Sequence, residues 1–280
     1  MQDPSLTKEQ YRRYNRHIIL EKFGIEGQKR LLDAKVLVVG IGGLGSPIVQ
    51  YLAAAGVGHL GMADGDTVSL TNLQRQVIHA TPDIGRPKVE VAEKRIKELN
   101  PDVVTASHHT FLSEENVFDL IRDYDFIIDA TDNYATKYLL NDACVMQKKA
   151  FCIGGINRYS GQVTTVRPGS PCYRCLFPYP PAESEVETCA TVGVLGPIAG
   201  ILGTIQATEA IKHLTGTGEP LYGRLLTFDA MTMQWQTVSF GHDTDCPLCG
   251  SKPTITELHE YSFMPCRKRE EAEQGKKNNV

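Results

Sequence analysis

The residues best equipped for chemistry are a run of glycines, the carboxylates and cations that follow it, and eight cysteines. Gly40, Gly42, Gly43 and Gly45 lie in "VLVVGIGGLGSP", between an apolar run that reads as a strand and a segment that reads as a helix start. Glycines there permit a tight turn and let backbone N–H groups approach phosphate oxygens at the positive end of the helix. Asp64 ends the next predicted strand, nineteen residues after Gly45. A carboxylate at that position accepts hydrogen bonds from ribose hydroxyls. The spacing predicts a nucleotide site. By itself it does not separate ATP from a dinucleotide kept for hydride transfer.

The next segments separate them. "DGDTVSLTNLQRQ" (64–76) puts Asp66, Thr71, Asn72, Leu73, Gln74 and Arg75 in a polar loop just beyond the ribose carboxylate. "GRPKVEVA" then places Lys88 in the first turn of a helix, an end where the macrodipole favours anions. A lysine there makes sense beside an external polyphosphate, the alternative being a solvated surface charge. Arg75 and Lys88 together exceed what a bridged diphosphate needs, and they suit a triphosphate attacked at its α-phosphorus. "FIIDATDN" (126–133) closes a strand with Asp129 and Asp132. A carboxylate at the carboxyl end of a parallel strand is placed to hold Mg²⁺. Asp132 is the candidate ligand, with Asn133 beside it, and Asp129 reads as a structural partner.

The cysteines speak of metal. "PCYRC" and "DCPLCG" are two Cys-x-x-Cys knuckles, and Cys172, Cys175, Cys246 and Cys249 can close a tetrahedral Zn²⁺ site. A redox role would need only one such pair. Four protein ligands leave no open position, so the site is read as structural, stapling the C-terminal segment to the loop before Cys189. Cys189 itself, in "ETCATVG", sits on a polar loop near a helix start, where its thiolate is favoured. Cys144 and Cys152 lie in apolar settings and read as core, Cys266 as an idle thiol.

These residues need a scaffold, and the chain supplies one. Thr7 with Gln10 forms a capping box for a helix over 8–23, and a second helix is expected around 25–33. Strands and helices then alternate from 36 to 153, which predicts a Rossmann-like, mostly parallel sheet with flanking helices. After 154 come a strand in "GQVTTVRPG", a glycine-spaced helix over 195–214 and strands near 224–229 and 235–240. Small residues at 196, 200, 203, 207 and 210 give that helix a smooth face for packing on the sheet or on a dimer mate. We expect one domain over 1–266: a nucleotide-binding part (about 34–154) and a zinc-bearing antiparallel part (about 155–252). The tail 267–280 reads as disordered.

Composition sets the outer bounds. A net charge of −4 argues against a nucleic-acid binder. No window has the ~20 apolar residues of a membrane span, and the N-terminus has no apolar leader, so a cytoplasmic location is expected.

In order, "RYNRHIIL", "GIGGLGS", "DGDTVSLTNLQRQ", "GRPK" and "DATDN" resemble the ThiF/MoeB/HesA family of adenylyltransferases, relatives of ubiquitin-activating enzymes, over about residues 8–250. The resemblance implies that Mg-ATP adenylates the C-terminal Gly-Gly carboxylate of a small ubiquitin-like sulfur carrier (ThiS- or MoaD-like, of thiamin or molybdopterin synthesis). A sulfur donor, such as a cysteine desulfurase or a rhodanese-like protein, then converts the acyl-adenylate to a thiocarboxylate. That donor is expected to be separate, because no rhodanese-like segment is appended. The resemblance assigns Gly43, Asp64, Asn72, Arg75, Lys88 and Asp132 to the nucleotide, and Arg16 to a cross-subunit contact in a homodimer. It also implies the same zinc knuckles and, in ThiF-like members, a reactive Cys189. The rivals are an NAD-dependent oxidoreductase, for which the crevice offers no evident proton-transfer histidine, a zinc-bearing scaffold, and a sibling group that adenylates a tRNA base.

Overall fold

The computed structural model describes residues 6–181 and 192–259; Cys189, Cys266 and the charged tail lie outside them. Eight strands form one sheet in the order β3-β2-β1-β4-β5-β6-β7-β8. β1 (Lys35–Val39), β2 (His59–Ala63), β3 (Val104–His108), β4 (Phe126–Asp129) and β5 (Ala150–Asn157) run parallel. β6 (Ser160–Val166), β7 (Arg224–Asp229) and β8 (Gln234–Ser239) continue the sheet antiparallel. This is the expected Rossmann-like sheet with an antiparallel C-terminal part.

The central strands β1, β2 and β4 are mostly apolar and buried because both faces are covered, whereas edge strand β3 is half-exposed; alternate side chains enter different cores. Val36, Val38, Phe126, Ile128 and Cys152 point into one, with α3 (Gly24–Asp33), α4 (Gly45–Ala55), α5 (Lys88–Leu99) and the long helix Gly196–Thr215. Leu37, Val39, Ile127, Phe151 and Ile153 point into the other, with α6 (Val117–Ile121) and α7 (Tyr134–Met146). Cys144 and Cys152 are fully buried in these cores. No helix among the described residues is long and apolar enough to cross a membrane.

The register fixes where the site must be. Val39 lies opposite Ala63 of β2 on one side and Asp129 of β4 on the other, so the three strands end level. The chain moves from β1 outward to β2 and β3, then returns to β4 on the opposite flank. The crevice at this switch point is where open α/β sheets take their ligands.

One expectation needs correction. The helix over 8–23 is in fact α1 (Lys8–Arg13) and α2 (Asn15–Ile18), followed by turns. It breaks at Tyr14, whose buried ring is tied down by a hydrogen bond from Asn100 Nδ2 to its hydroxyl (2.8 Å). The capping box of Thr7 and Gln10 is present as expected. The smooth face of the long helix packs within the chain: a Cβ at Gly203 would fall 2.5 Å from Leu44 O, and one at Gly196 2.5 Å from Gln74 O. Gly200 faces open space, so the five small positions do not form one continuous contact.

With α8 (Tyr173–Leu176) counted in, the long helix is α9. Between α7 and α8, Arg174 is buried against Asp142 by two hydrogen bonds of 2.7 and 2.8 Å and lies over the Tyr138 ring. A fork-to-fork pair in the interior tolerates no substitution of one partner, since the other charge would be stranded.

Candidate functional site

The glycine turn is held peptide by peptide. Gly40 adopts a φ of +89°, and a Cβ there would lie 2.8 Å from Ala130 O, so the turn after β1 is pressed against the turn after β4. Ile41 N–H donates to Asp64 Oδ2 at 2.7 Å, and Asp66 N–H to Asp64 Oδ1 at 2.8 Å. Gly42 O accepts from both N–H and Oγ of Ser46, at 3.0 and 2.7 Å. Among the described residues the N–H groups of Gly42 and Gly43 have no partner. They are donors left over at the start of α4, where an anion is favoured.

Asp64 therefore both orders the turn and keeps lone pairs for a ligand. Burial raises its carboxyl above the usual range, while the Lys88 charge and the two backbone donors pull it back down. Lys88 is only 5% exposed, with Nζ 2.9 Å from Asp66 and 3.8 Å from Asp64. The solvated-surface reading of Lys88 is thus excluded. This chain already supplies carboxylates to offset a cation at the first turn of α5, so that placement needs no external anion to explain it.

The loop behind Asp64 contains one 3-10 turn, Leu70–Asn72. Asn72 accepts from Ser69 N–H at 3.3 Å through its side chain and from Arg75 and Gln76 N–H through its carbonyl. Its observed job is to fold the loop. Arg75 lies with its stem over Gly43, and Nη1 donates to Thr71 O at 3.1 Å. Leu73 is half-buried, whereas Thr71 and Gln74 are exposed.

Asp129 is the structural partner it was expected to be, and Asp132 is left uncommitted. Asp129 is fully buried, accepts from Thr131 N–H and Oγ at 2.9 and 2.6 Å, and pairs with Lys137 at 3.1 Å. Lys137 also donates to Gly154 O at 2.5 Å. Asp132 is exposed and, among the described residues, makes no hydrogen bond or ion pair. An uncommitted carboxylate in the turn that packs on the glycine turn suits the hard-oxygen preference of Mg²⁺. Asn133 is occupied as the cap of α7, accepting from Thr136 N–H at 2.8 Å. On the far side of Asp132 opens a cavity of about 510 Å³, lined by Tyr134, Lys137, Gly155, Gln162 and Asp229 among others. Asp132 itself lines this cavity, one residue beyond Thr131, whose backbone nitrogen lies against Gly40.

Arg16 is not brought to this crevice. It is exposed on α2, beside Arg13, which donates to Leu99 O at 3.1 Å, and Tyr14, which packs on Gly56. Leu99 and Gly56 are the C-terminal ends of α5 and α4, so Arg16 lies at the opposite edge of the sheet. No rearrangement short of unfolding this corner carries it to its own chain's glycine turn.

The four cysteines do meet. Cys172, Cys175, Cys246 and Cys249 place their sulfurs within 4.8 Å of one another, with five separations of 3.3 to 4.0 Å. Zn–S bonds of about 2.3 Å in a tetrahedron give edges of roughly 3.8 Å. The donor set fits a tetrahedral thiolate-bound ion.

Sequence reasoning missed Lys137, Gln76 and His79. Gln76 and His79 are only 4% and 6% exposed and lie against the glycine turn. The crevice does have a histidine beside it. The signal was present in "RQVIH", where both follow Arg75 closely, but polar residues in a predicted loop read as solvated.

Comparison with known proteins identifies the family. The ThiF family profile matches residues 14–248. The SAMP-activating enzyme E1 of Haloferax volcanii is 49% identical over 88% of this chain and 91% of its own. The sulfur carrier protein adenylyltransferase of Thermus thermophilus is 44% identical over 91% and 96%. A probable adenylyltransferase/sulfurtransferase MoeZ of Mycobacterium tuberculosis is 45% identical over 92% of this chain and 65% of its own. Among solved structures, E. coli MccB superposes with a TM-score of 0.77 at 20% identity, over 92% of this chain and 76% of MccB, which speaks to the fold. With the family profile matched over most of its length and relatives this similar end to end, the chain belongs to the ThiF family.

Proposed function

We propose that this protein adenylates the C-terminal carboxylate of a small ubiquitin-like sulfur carrier with ATP, and that the acyl-adenylate is then converted to a thiocarboxylate by a separate sulfur donor. The observation that carries the reading is Asp132, an uncommitted carboxylate that follows the turn packed on Gly40 and lines a cavity of about 510 Å³. Two substrates must meet where a metal can be held, and Asp132 offers such a place. The names of the Haloferax and Thermus relatives support the substrate class.

In this reading Asp64 accepts from the ribose, the Gly42 and Gly43 amides and Arg75 face the phosphates, and Lys88 adds charge from beneath. Mg²⁺ held by Asp132 would neutralise phosphate charge. The carrier's tail enters through the cavity, and its carboxylate oxygen attacks the α-phosphorus. One P–O bond forms, the bond to the bridging oxygen breaks, and pyrophosphate leaves with the electron pair. A structural Zn²⁺ in the four-cysteine cluster holds the C-terminal part, and the enzyme works as a cytoplasmic homodimer with Arg16 crossing to its mate.

Carrier-dependent ATP–pyrophosphate exchange tests the reaction. Arg75→Ala should slow it ~10²-fold, because a cation facing transition-state charge is removed from a site where, among the described residues, its guanidinium makes only one other bond. Lys88→Ala should slow it at least as much, but will also lower stability, since Asp64 and Asp66 lose their counter-ion. Exchange within about threefold of wild type in both variants would return these cations to a structural role.

Cys189 enters after adenylation. Exchange needs only ATP, metal and a carboxylate, so Cys189→Ser should leave it unchanged. The same substitution should abolish a thiol-sensitive enzyme–carrier adduct seen by intact-mass spectrometry. A wild-type enzyme that forms no such adduct with its carrier while making thiocarboxylate would remove Cys189 from the chemistry.

A further inference from the structure

We propose that His79 is a positioning residue that aims the Gly42 amide at a nucleotide phosphate; the proposal rests on the ATP-dependent reading above. His79 Nε2 lies 3.1 Å from Ile41 O, and the ring is only 6% exposed. A carbonyl oxygen can only accept, so the proton is on Nε2 and the neutral ring's Nδ1 is an acceptor. Burial, with Lys88 and Arg95 nearby, lowers the His79 pKa and favours this neutral form. Among the described residues Nδ1 is buried without a partner, and so is Oε1 of Gln76, whose Nε2 lies 3.4 Å from where a Gly42 Cβ would be. A histidine serving only the core would be expected to satisfy both nitrogens. Among the described residues this one makes a single side-chain bond, and that bond is to the glycine turn.

The geometry of the peptide explains why it matters. In a planar trans peptide the C=O and the following N–H point in opposite directions. Fixing Ile41 C=O toward the His79 ring turns Gly42 N–H the other way. The neighbouring peptides are fixed likewise, through Ile41 N–H by Asp64 and through Gly42 C=O by Ser46. The middle peptide is the one held by a side chain that belongs neither to the turn nor to α4 nor to Asp64. Without His79, glycine at 42 allows that peptide to rotate, and the amide loses its aim.

The experiment uses two polar replacements and two ligands. Gln places an N–H donor near the position of Nε2, whereas Asn stops short at the level of Nδ1. Affinities for α,β-methylene-ATP and for adenosine would be measured by calorimetry on the full-length protein, with melting temperatures alongside. His79→Asn should weaken the ATP analogue ~10-fold, the scale of one hydrogen bond to a charged group, and leave adenosine within about twofold. His79→Gln should bring the analogue back to within about threefold of wild type. Equal affinities in Asn and Gln variants, or a parallel loss of the analogue and adenosine, overturn the positioning role alone. A wild-type protein that binds no ATP analogue overturns the adenylation reading with it.

Discussion

Asp132→Ala is expected to reduce carrier-dependent pyrophosphate exchange by ~10³-fold or more while leaving the unfolding temperature within about 2 °C of wild type. The stability half of this expectation comes from what Asp132 does not do. It is exposed and carries no hydrogen bond or ion pair among the described residues, so its removal strands nothing. Asp129, three residues earlier, is the control. Its loss would leave the Lys137 ammonium buried without a counter-ion and cut the turn loose at Thr131. That variant should be destabilised by ~3–5 kcal/mol. The activity half rests on the metal: without a carboxylate oxygen at this position, charge on the polyphosphate is not neutralised when the bond to pyrophosphate breaks. Near-normal exchange by a folded Asp132→Ala enzyme would remove the Mg²⁺ assignment. The same variant also probes Arg16, which its own chain keeps at the far edge of the sheet. Mixing Arg16→Ala with Asp132→Ala protein should regain part of the activity through hybrid sites. No regain, with subunit exchange verified by native mass spectrometry, counts against a shared site.

How much of this was legible beforehand follows from what each signal depends on. The alternation of apolar runs and amphipathic segments predicts the parallel sheet because each strand must be apolar on both faces, a local property. Gly40 is legible because the close approach to Ala130 forbids any side chain. The four cysteines are legible because metal ligation needs only the right atoms, and two knuckles bring them. What escaped depends on three-dimensional company. Lys88 reads as either a ligand or a surface charge until Asp66 is found beside it. Arg16 sits in a motif that suggests the nucleotide, yet only the packing of Tyr14 on Gly56 reveals the edge it occupies. His79 and Gln76 lie in a loop whose sequence looks solvated, and a sequence carries no mark of which loop residues turn inward. The helix at the N-terminus was overextended for the same reason: the pull on Tyr14 comes from Asn100, eighty-six residues away.

Removing metal from the four-cysteine cluster is expected to loosen the C-terminal part without dismantling the nucleotide half. The sulfurs link α8, which follows β6, to the turn after β8, segments more than seventy residues apart in sequence. A thiolate-bound ion there would join two short stretches that have little regular structure of their own: α8 is four residues long, and the 246–249 turn has no strand or helix. Such sites contribute folding energy outright. Dialysis against a strong chelator under reducing conditions should therefore lower the melting temperature by several degrees and expose four thiols to a disulfide reagent. Cys144 and Cys152, fully buried in the two cores, should stay protected. Affinity for an ATP analogue should fall much less, because the glycine turn, Asp64 and Lys88 are fixed by β1, β2 and α5 and touch none of these segments. The Arg174–Asp142 pair also keeps α8 against α7 after the ion is gone, which limits the damage to the knuckle itself. Elemental analysis of the untreated protein should give one zinc per chain, and Cys246→Ser should bring it well below one. Protein that folds with no bound metal, and whose melting temperature the chelator does not move, would show that the four thiols hold this part together by packing alone.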